Sequence, residues 1–207
     1  MNIVLWFRKT FLATVQPVIK WLGKTHVPTS VKVVKDSDLE ACIAIWRPGD
    51  ILLSYVAGQA TDLIIAGPWR HAALVVDSKR VLQSTADGVH LVMADDFFLT
   101  KDAVCLLRPK FATPEQSSAA LAWALSQVGK PYDYQLSPGL AAFYCSELVY
   151  DSYAETLSEA CPLKTHEVLD VPVYEPSDFF NDKANMQLLY NSETDQPATN
   201  ADSSKAA

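Results

Sequence analysis

Between residues 71 and 84 two short apolar runs, HAALVV and RVLQS, flank the polar triplet Asp77-Ser78-Lys79. That pattern reads as an antiparallel hairpin, because β-forming residues on both sides of a tight polar turn need only close on each other. The run Ile51 to Tyr55, entered through the turn Arg47-Pro48-Gly49-Asp50, reads as a preceding strand. Residues 89–92, after the turn Asp87-Gly88, and residues 103–108 read as following ones. Helical signals surround this block. A short helix is expected over Asp36 to Ile45, opened by Ser37, Asp38 and Glu40, and another over 61–65. Residues 113–128 read as an amphipathic helix, opened by Thr113-Pro114-Glu115, closed at Gly129, with Ala120, Trp123, Ala124 and Val128 on its core face. A further helix begins near Cys145, with Leu148, Val149 and Tyr153 on one face. Pro172 and Pro176 then mark an extended piece that returns to the body through Tyr174, Phe179 and Phe180. The fold class that follows is α+β.

A chain of 207 residues, 49% hydrophobic, is long enough for one domain with a real core. The organisation expected is a basic amphipathic leader and linker over 1–35, one folded domain over 36–190, and a polar, disordered tail over 191–207. Residues 1–35 carry Arg8, Lys9, Lys20, Lys24, Lys32 and Lys35 and no acid, which leaves eleven basic against twenty-four acidic residues elsewhere. The acidic body disfavours nucleic acid. Residues 1–24, with Trp6, Phe7, Phe11 and Trp21 among basic residues, suit either peripheral contact with an anionic membrane or packing on the domain. The leader is too interrupted to span a bilayer and shows no convincing cleavage site. Cys42, Cys105, Cys145 and Cys161 have neither metal-type spacing nor a dense framework, so reduced thiols and a cytoplasmic setting are expected, with no metal and no cofactor. Secretion without a cleaved signal stays open, as does the oligomeric state.

Cys145 stands apart by its setting, a loop containing Gly139 and Phe143 that leads into a helix. Unpaired N–H groups and the positive end of the dipole at a helix start favour a thiolate there, and those N–H groups can stabilise an oxyanion. The other three cysteines read as small buried hydrophobes. Of the four histidines, His71 opens an apolar strand after Trp69 and Arg70, where its ring can point into a cleft. His26 and His166 lie in polar surroundings, and His90 sits in a strand expected to have one face in water. A catalytic imidazole needs a third group to hold it. Gln83 and Ser84 point to opposite faces of the next strand, and Gln83, which shares parity with His71, is preferred. A neutral amide stabilises an imidazolium less than a carboxylate would.

The runs VGKPYDYQ and FYCSELVYDSY resemble the signature of the NlpC/P60 superfamily of papain-like cysteine peptidases. GDILLSY and RHAALVV, with the histidine, precede the cysteine segment, and that order resembles the circularly permuted branch, the YaeF/YiiX-like amidases, with lecithin:retinol acyltransferase-like enzymes as distant relatives. The resemblance implies a permuted papain-like fold, an antiparallel sheet or half-barrel packed on the helix of the nucleophile. It implies Cys145 as nucleophile, His71 as general base and Gln83 as third residue. Tyr132 would line the site near the oxyanion. Independently of the resemblance, Ser146 beside the nucleophile and Trp69 and Arg70 beside His71 are candidates for oxyanion or substrate binding, Arg70 as the partner of a substrate carboxylate. The activity implied is hydrolysis of a small amide or peptide through an acyl-enzyme. The basic leader favours a competing reading, a membrane-associated lipid acyl hydrolase or acyltransferase. The uncharged Gln83 leaves a third, a binding module with little catalysis.

Overall fold

The computed structural model describes residues 34–56, 67–136, 139–157, 159–168, 171–194 and 196–197. Five helices and nine strands lie in this part of the chain: α1 (Asp36–Ile45), β1 (Ile51–Tyr55), β2 (His71–Val75), β3 (Arg80–Thr85), β4 (Gly88–Met93), α2 (Ala94–Leu99), β5 (Ala103–Pro109), α3 (Pro114–Leu125), α4 (Cys145–Ala154), β6 (His166–Val168), β7 (Val171–Val173), α5 (Pro176–Asn181), β8 (Met186–Asn191) and β9 (Gln196–Pro197). Seven strands form one sheet in the order β4-β3-β2-β1-β5-β8-β9, and β6 and β7 pair separately. Every pairing is antiparallel. The α+β class and the antiparallel sheet packed on the helix that starts at Cys145 are therefore observed.

Alternation along the strands divides the core in two. Ile51, Leu53, Ala72, Leu74, Leu82, Cys105 and Leu107 face α3 and α4, meeting Ala120, Ala124, Leu148, Val149 and Tyr153. Leu52, Ala73, Val75, Val81, Val104 and Leu106 face the other way, onto Cys42 and Trp46 of the α1 segment and Phe97 and Phe98 of α2. A central strand with both faces covered reads as a continuous apolar run, as ILLSY and HAALV do.

The Arg47-Pro48-Gly49-Asp50 turn anchors the sheet. Gly49 takes φ +88°, and a Cβ there would stand 2.8 Å from Cβ of Ser117, so the position requires glycine. Its N–H donates to Val75 O at 2.9 Å, and its carbonyl accepts the Tyr153 hydroxyl at 2.7 Å. Buried Asp50 accepts Arg108 Nε at 2.8 Å and Nη2 at 2.6 Å. This bidentate pair ties β1 to β5.

Several expectations are corrected. Helix α3 ends at Leu125, and Val128, expected on its core face, is 47% exposed. Between Val128 and Pro131 the chain runs along β4 instead, with Val89 N–H donating to Lys130 O and Gly129 N–H to Val89 O, each at 2.9 Å. The tail piece after Pro176 holds a helix, α5, and a strand, β8, that pairs with β5. β8 runs to Asn191, where Asn191 and Ser192 are buried, and β9 follows. The sheet thus continues into a stretch expected to be disordered from 191, because Ser192 Oγ accepts Val104 N–H at 2.9 Å and Ser192 N–H donates to Val104 O at 3.0 Å. The leader 1–24 and the helix expected over 61–65 lie outside the described residues. No helix among the described residues is long and apolar enough to cross a membrane.

Candidate active site

Cys145 is the first residue of α4 and is 5% exposed. Three contacts hold the loop that delivers it. Ser84 Oγ donates to Phe143 O at 2.7 Å, Phe143 N–H donates to Pro131 O at 3.1 Å, and the Phe143 ring meets Trp123 edge-on at 5.9 Å. Ser84 thus holds the nucleophile loop, on the face of β3 opposite Gln83. The cap residue Tyr144 donates its N–H to Glu147 Oε2 at 3.0 Å and accepts Tyr174 N–H on its hydroxyl at 3.2 Å. Glu147, half-buried, has its carboxyl pushed up to about 8 by burial.

Around the sulfur stand the N–H of Ala72, the hydroxyl and N–H of Ser146, and the N–H of Cys145 itself. Ala72 is free to donate because the β2–β3 ladder stops at Ala73↔Gln83. The residue before it is His71. The sequence favoured a thiolate at this helix start, but burial outweighs the donors and holds the thiol above its ordinary value.

The His71 ring lies on the α2 face of the sheet, 6.1 Å from the Phe97 ring, with part of its surface open. Its Nε2 meets Gln83 Oε1 at 2.8 Å. Register explains the contact: Gln83 opposes Ala73, so it is the diagonal neighbour of His71 on the same face. Burial first, then the Lys101 ammonium, drive the imidazole down to about 3. At neutral pH the site therefore holds a neutral thiol at the start of α4 and a neutral imidazole on the residue before Ala72, whose N–H reaches the sulfur.

The structure places Tyr132 and Ser146 with Cys145. Tyr132 packs on Tyr134 at 4.7 Å between centroids, and its phenol is raised well above its ordinary value by burial and then by the charge of a Cys145 thiolate. Trp69 is 1% exposed and packs on Phe180 at 5.7 Å, a core position, with its backbone N–H donating to Ser177 Oγ at 3.1 Å. The Arg70 guanidinium donates to Gly67 O. Cys42 and Cys105 are fully buried, and burial raises both thiols. His166 is exposed, 3.2 Å from Asp178.

Two residues of the site escaped sequence reasoning. Lys101 lies over the Phe97 ring at 4.9 Å, within Coulombic reach of both His71 and Cys145, and burial brings its ammonium down to about 8. Nothing in the sequence marks it, since it sits in the turn before β5. His90, read from sequence only as part of a strand with one face in water, bonds to Gln83. Register could have found it: a two-residue turn between Thr85 and Gly88 places Gln83 opposite His90.

Residues 46–201 match the family described as permuted papain-like amidase enzymes, YaeF/YiiX, C92. The chain belongs to this family. Its members are papain-like cysteine hydrolases, and the C92 match includes every residue named above at the sulfur and the imidazole. The crystal structure of yiiX from Escherichia coli O157:H7, described as a metalloprotein, superposes with a TM-score of 0.56 at 20% identity, covering 70% of this chain and 96% of that one. At that identity the likeness speaks for the C92 fold alone. Among the described residues no group of three or more His, Cys, Asp or Glu is gathered to hold a metal ion. Comparison with curated proteins gives no match.

Proposed function

We propose that this C92 protein hydrolyses an amide or peptide bond through a Cys145 acyl-enzyme, with His71 as general base. The observation that carries the reading is the sulfur at the start of α4, ringed by N–H donors beside His71, whose other side is held by Gln83. Because Nε2 bonds to Gln83 Oε1, a carbonyl oxygen, it carries the proton, and Nδ1 keeps its lone pair.

The chemistry follows from the resting neutral pair. As Sγ attacks the acyl carbon, Nδ1 of His71 takes the thiol proton, and the tetrahedral oxyanion gathers at the N–H groups of the first turn of α4. The C–N bond then breaks, the imidazolium protonates the leaving amine, and a thioester remains on Cys145. Water adds to the thioester as Nδ1 takes its proton, the acid product leaves, and the same proton returns to sulfur. Lys101 favours the passing thiolate, as a cation beside a developing anion should. Gln83, being neutral, holds the imidazole without drawing it toward the imidazolium, so proton transfer accompanies attack rather than preceding it.

Purified protein offered a panel of peptides and N-acyl amino acids on one side and anionic phospholipid vesicles on the other tests the substrate class. Amide cleavage that disappears in Cys145→Ala is expected. Lipid turnover that disappears in Cys145→Ala, without amide cleavage, would replace this reading with the acyl hydrolase one. The basic leader 1–24 is proposed as a peripheral membrane contact, to be checked by vesicle binding of the full chain against one lacking those residues.

A further inference from the structure

The Gln83 amide has two ends, and either could face His71; the structure shows what decides. His90 Nδ1 stands 2.8 Å from the carbonyl of Gly88. A carbonyl only accepts, so Nδ1 of His90 carries its proton, and Nε2 of the neutral ring is an acceptor. That Nε2 lies 3.2 Å from Gln83 Nε2, which donates to it. The amide is thereby turned so that Oε1 points at His71 Nε2, 2.8 Å away. The chain of bonds begins on fixed backbone. Gly88 takes φ +85°, closes the β3–β4 turn opposite Thr85, and packs so tightly that a Cβ there would stand 2.4 Å from Lys130 O.

We propose that His90 is a positioning residue for the amidase reaction, setting the direction of the Gln83 amide and through it the tautomer of His71. Resting on the proposed role of His71 as base, it adds what makes a neutral glutamine sufficient as the third residue. A carboxylate accepts from either oxygen, whereas an amide serves the base only in one of its two orientations. Turned round, Gln83 would offer an N–H to His71 Nε2, and the ring proton would move to Nδ1. The lone pair that must take the thiol proton would then be gone.

The tautomers are read directly by two-dimensional 15N–1H NMR of the imidazole rings in the full chain. In the wild type, His71 is expected with a protonated Nε2 and a bare Nδ1, and His90 with the reverse. A wild-type His90 protonated at Nε2 rather than Nδ1 at neutral pH would overturn the proposal, whatever any variant does. His90→Phe keeps the ring and removes the acceptor. It should leave His71 as a mixture of tautomers and lower kcat/KM about tenfold through kcat, with KM little changed, the size of one neutral hydrogen bond. His90→Gln returns an acceptor and should restore the His71 tautomer and most of kcat. His90→Phe with an unchanged His71 spectrum and unchanged kcat would contradict the proposal, as would His90→Gln behaving like His90→Phe in both readouts. Should the wild type show the expected tautomers but no turnover dependent on Cys145, the positioning stands and the proposed function falls.

Discussion

Replacing Gln83 with glutamate keeps the oxygen that faces His71 and turns the nitrogen that faces His90 into a second oxygen. It also sets a carboxylate charge beside the imidazole, which should change how the nucleophile is activated. In the native site the imidazole sits near 3, driven down by burial and Lys101, with the bond to neutral Gln83 the one influence that raises it. A hydrogen bond to a charged acceptor is worth about 1.5–3 kcal/mol against about 0.5–1.5 for a neutral one, so the imidazolium gains about 1–2 kcal/mol. At 1.36 kcal/mol per pKa unit that lifts His71 by about one unit. The direct charge attraction, about 4 kcal/mol at an effective dielectric of 20, sets a ceiling of about three units before the new carboxylate's own desolvation is subtracted. The thiolate–imidazolium pair, scarcely populated in the native site, then becomes about ten times or more as frequent at acid pH. The assay is the second-order rate of iodoacetamide addition to Cys145 against pH, followed by peptide mass. Native protein should show a rate that climbs with pH toward the raised thiol, without a plateau on the acid side. Gln83→Glu should add a pH-independent component that emerges as pH falls toward the raised imidazolium, at about 4, and makes it about twofold faster at pH 4. Equal rates for the two at pH 4, or a plateau in the native protein above that pH, would refute the reasoning.

Other perturbations test separate parts of the site. Lys101→Met removes the cation beside the sulfur and should slow Cys145 alkylation severalfold at pH 8 with no change in fold by circular dichroism. Glu147, held near 8 by burial, binds its proton more tightly folded than unfolded. Its contribution is therefore full below the ordinary glutamate range and is lost as pH rises to about 8. Glu147→Gln keeps the acceptor for Tyr144 N–H and should unfold at higher denaturant than native protein at pH 8, by on the order of 1 kcal/mol, with the gap closing toward pH 4. Gly88→Ala meets both φ +85° and a 2.4 Å approach to Lys130 O, and should cost about 3 kcal/mol or more in thermal unfolding.

The hairpin of β2 and β3 and the helix at Cys145 were legible because each is a local pattern: apolar runs about a short turn, and a polar loop opening an amphipathic face. Cys145, His71 and Gln83 could be named on these patterns together with the family resemblance, and parity places Gln83 on the face of His71 once the turn holds an odd number of residues, as the observed register requires. What was not legible depends on distance in space. Lys101 reaches the site from the turn before β5, and only the sheet order brings that turn beside β2 and α4. Strand β8 was hidden for a similar reason: it pairs with β5, some eighty residues earlier in the chain, across no turn that a sequence pattern could mark. The resting state of the thiol was misread because helix-start chemistry is visible in sequence and desolvation is not. The glycine and Pro-Tyr of VGKPYDY, taken as signature residues, turn out to carry the strap along β4 that ends on Phe143, two residues before the nucleophile.

The measurement that bears most directly on the proposed chemistry is the intact mass of the protein quenched in acid seconds after mixing with an activated N-acyl amide or p-nitrophenyl ester. A single added acyl group, mapped to the peptide containing Cys145 and absent in both Cys145→Ala and His71→Ala, is the result expected. An adduct on Cys42, Cys105 or Cys161, or one on Cys145 that forms as fast in His71→Ala as in the native protein, would contradict it.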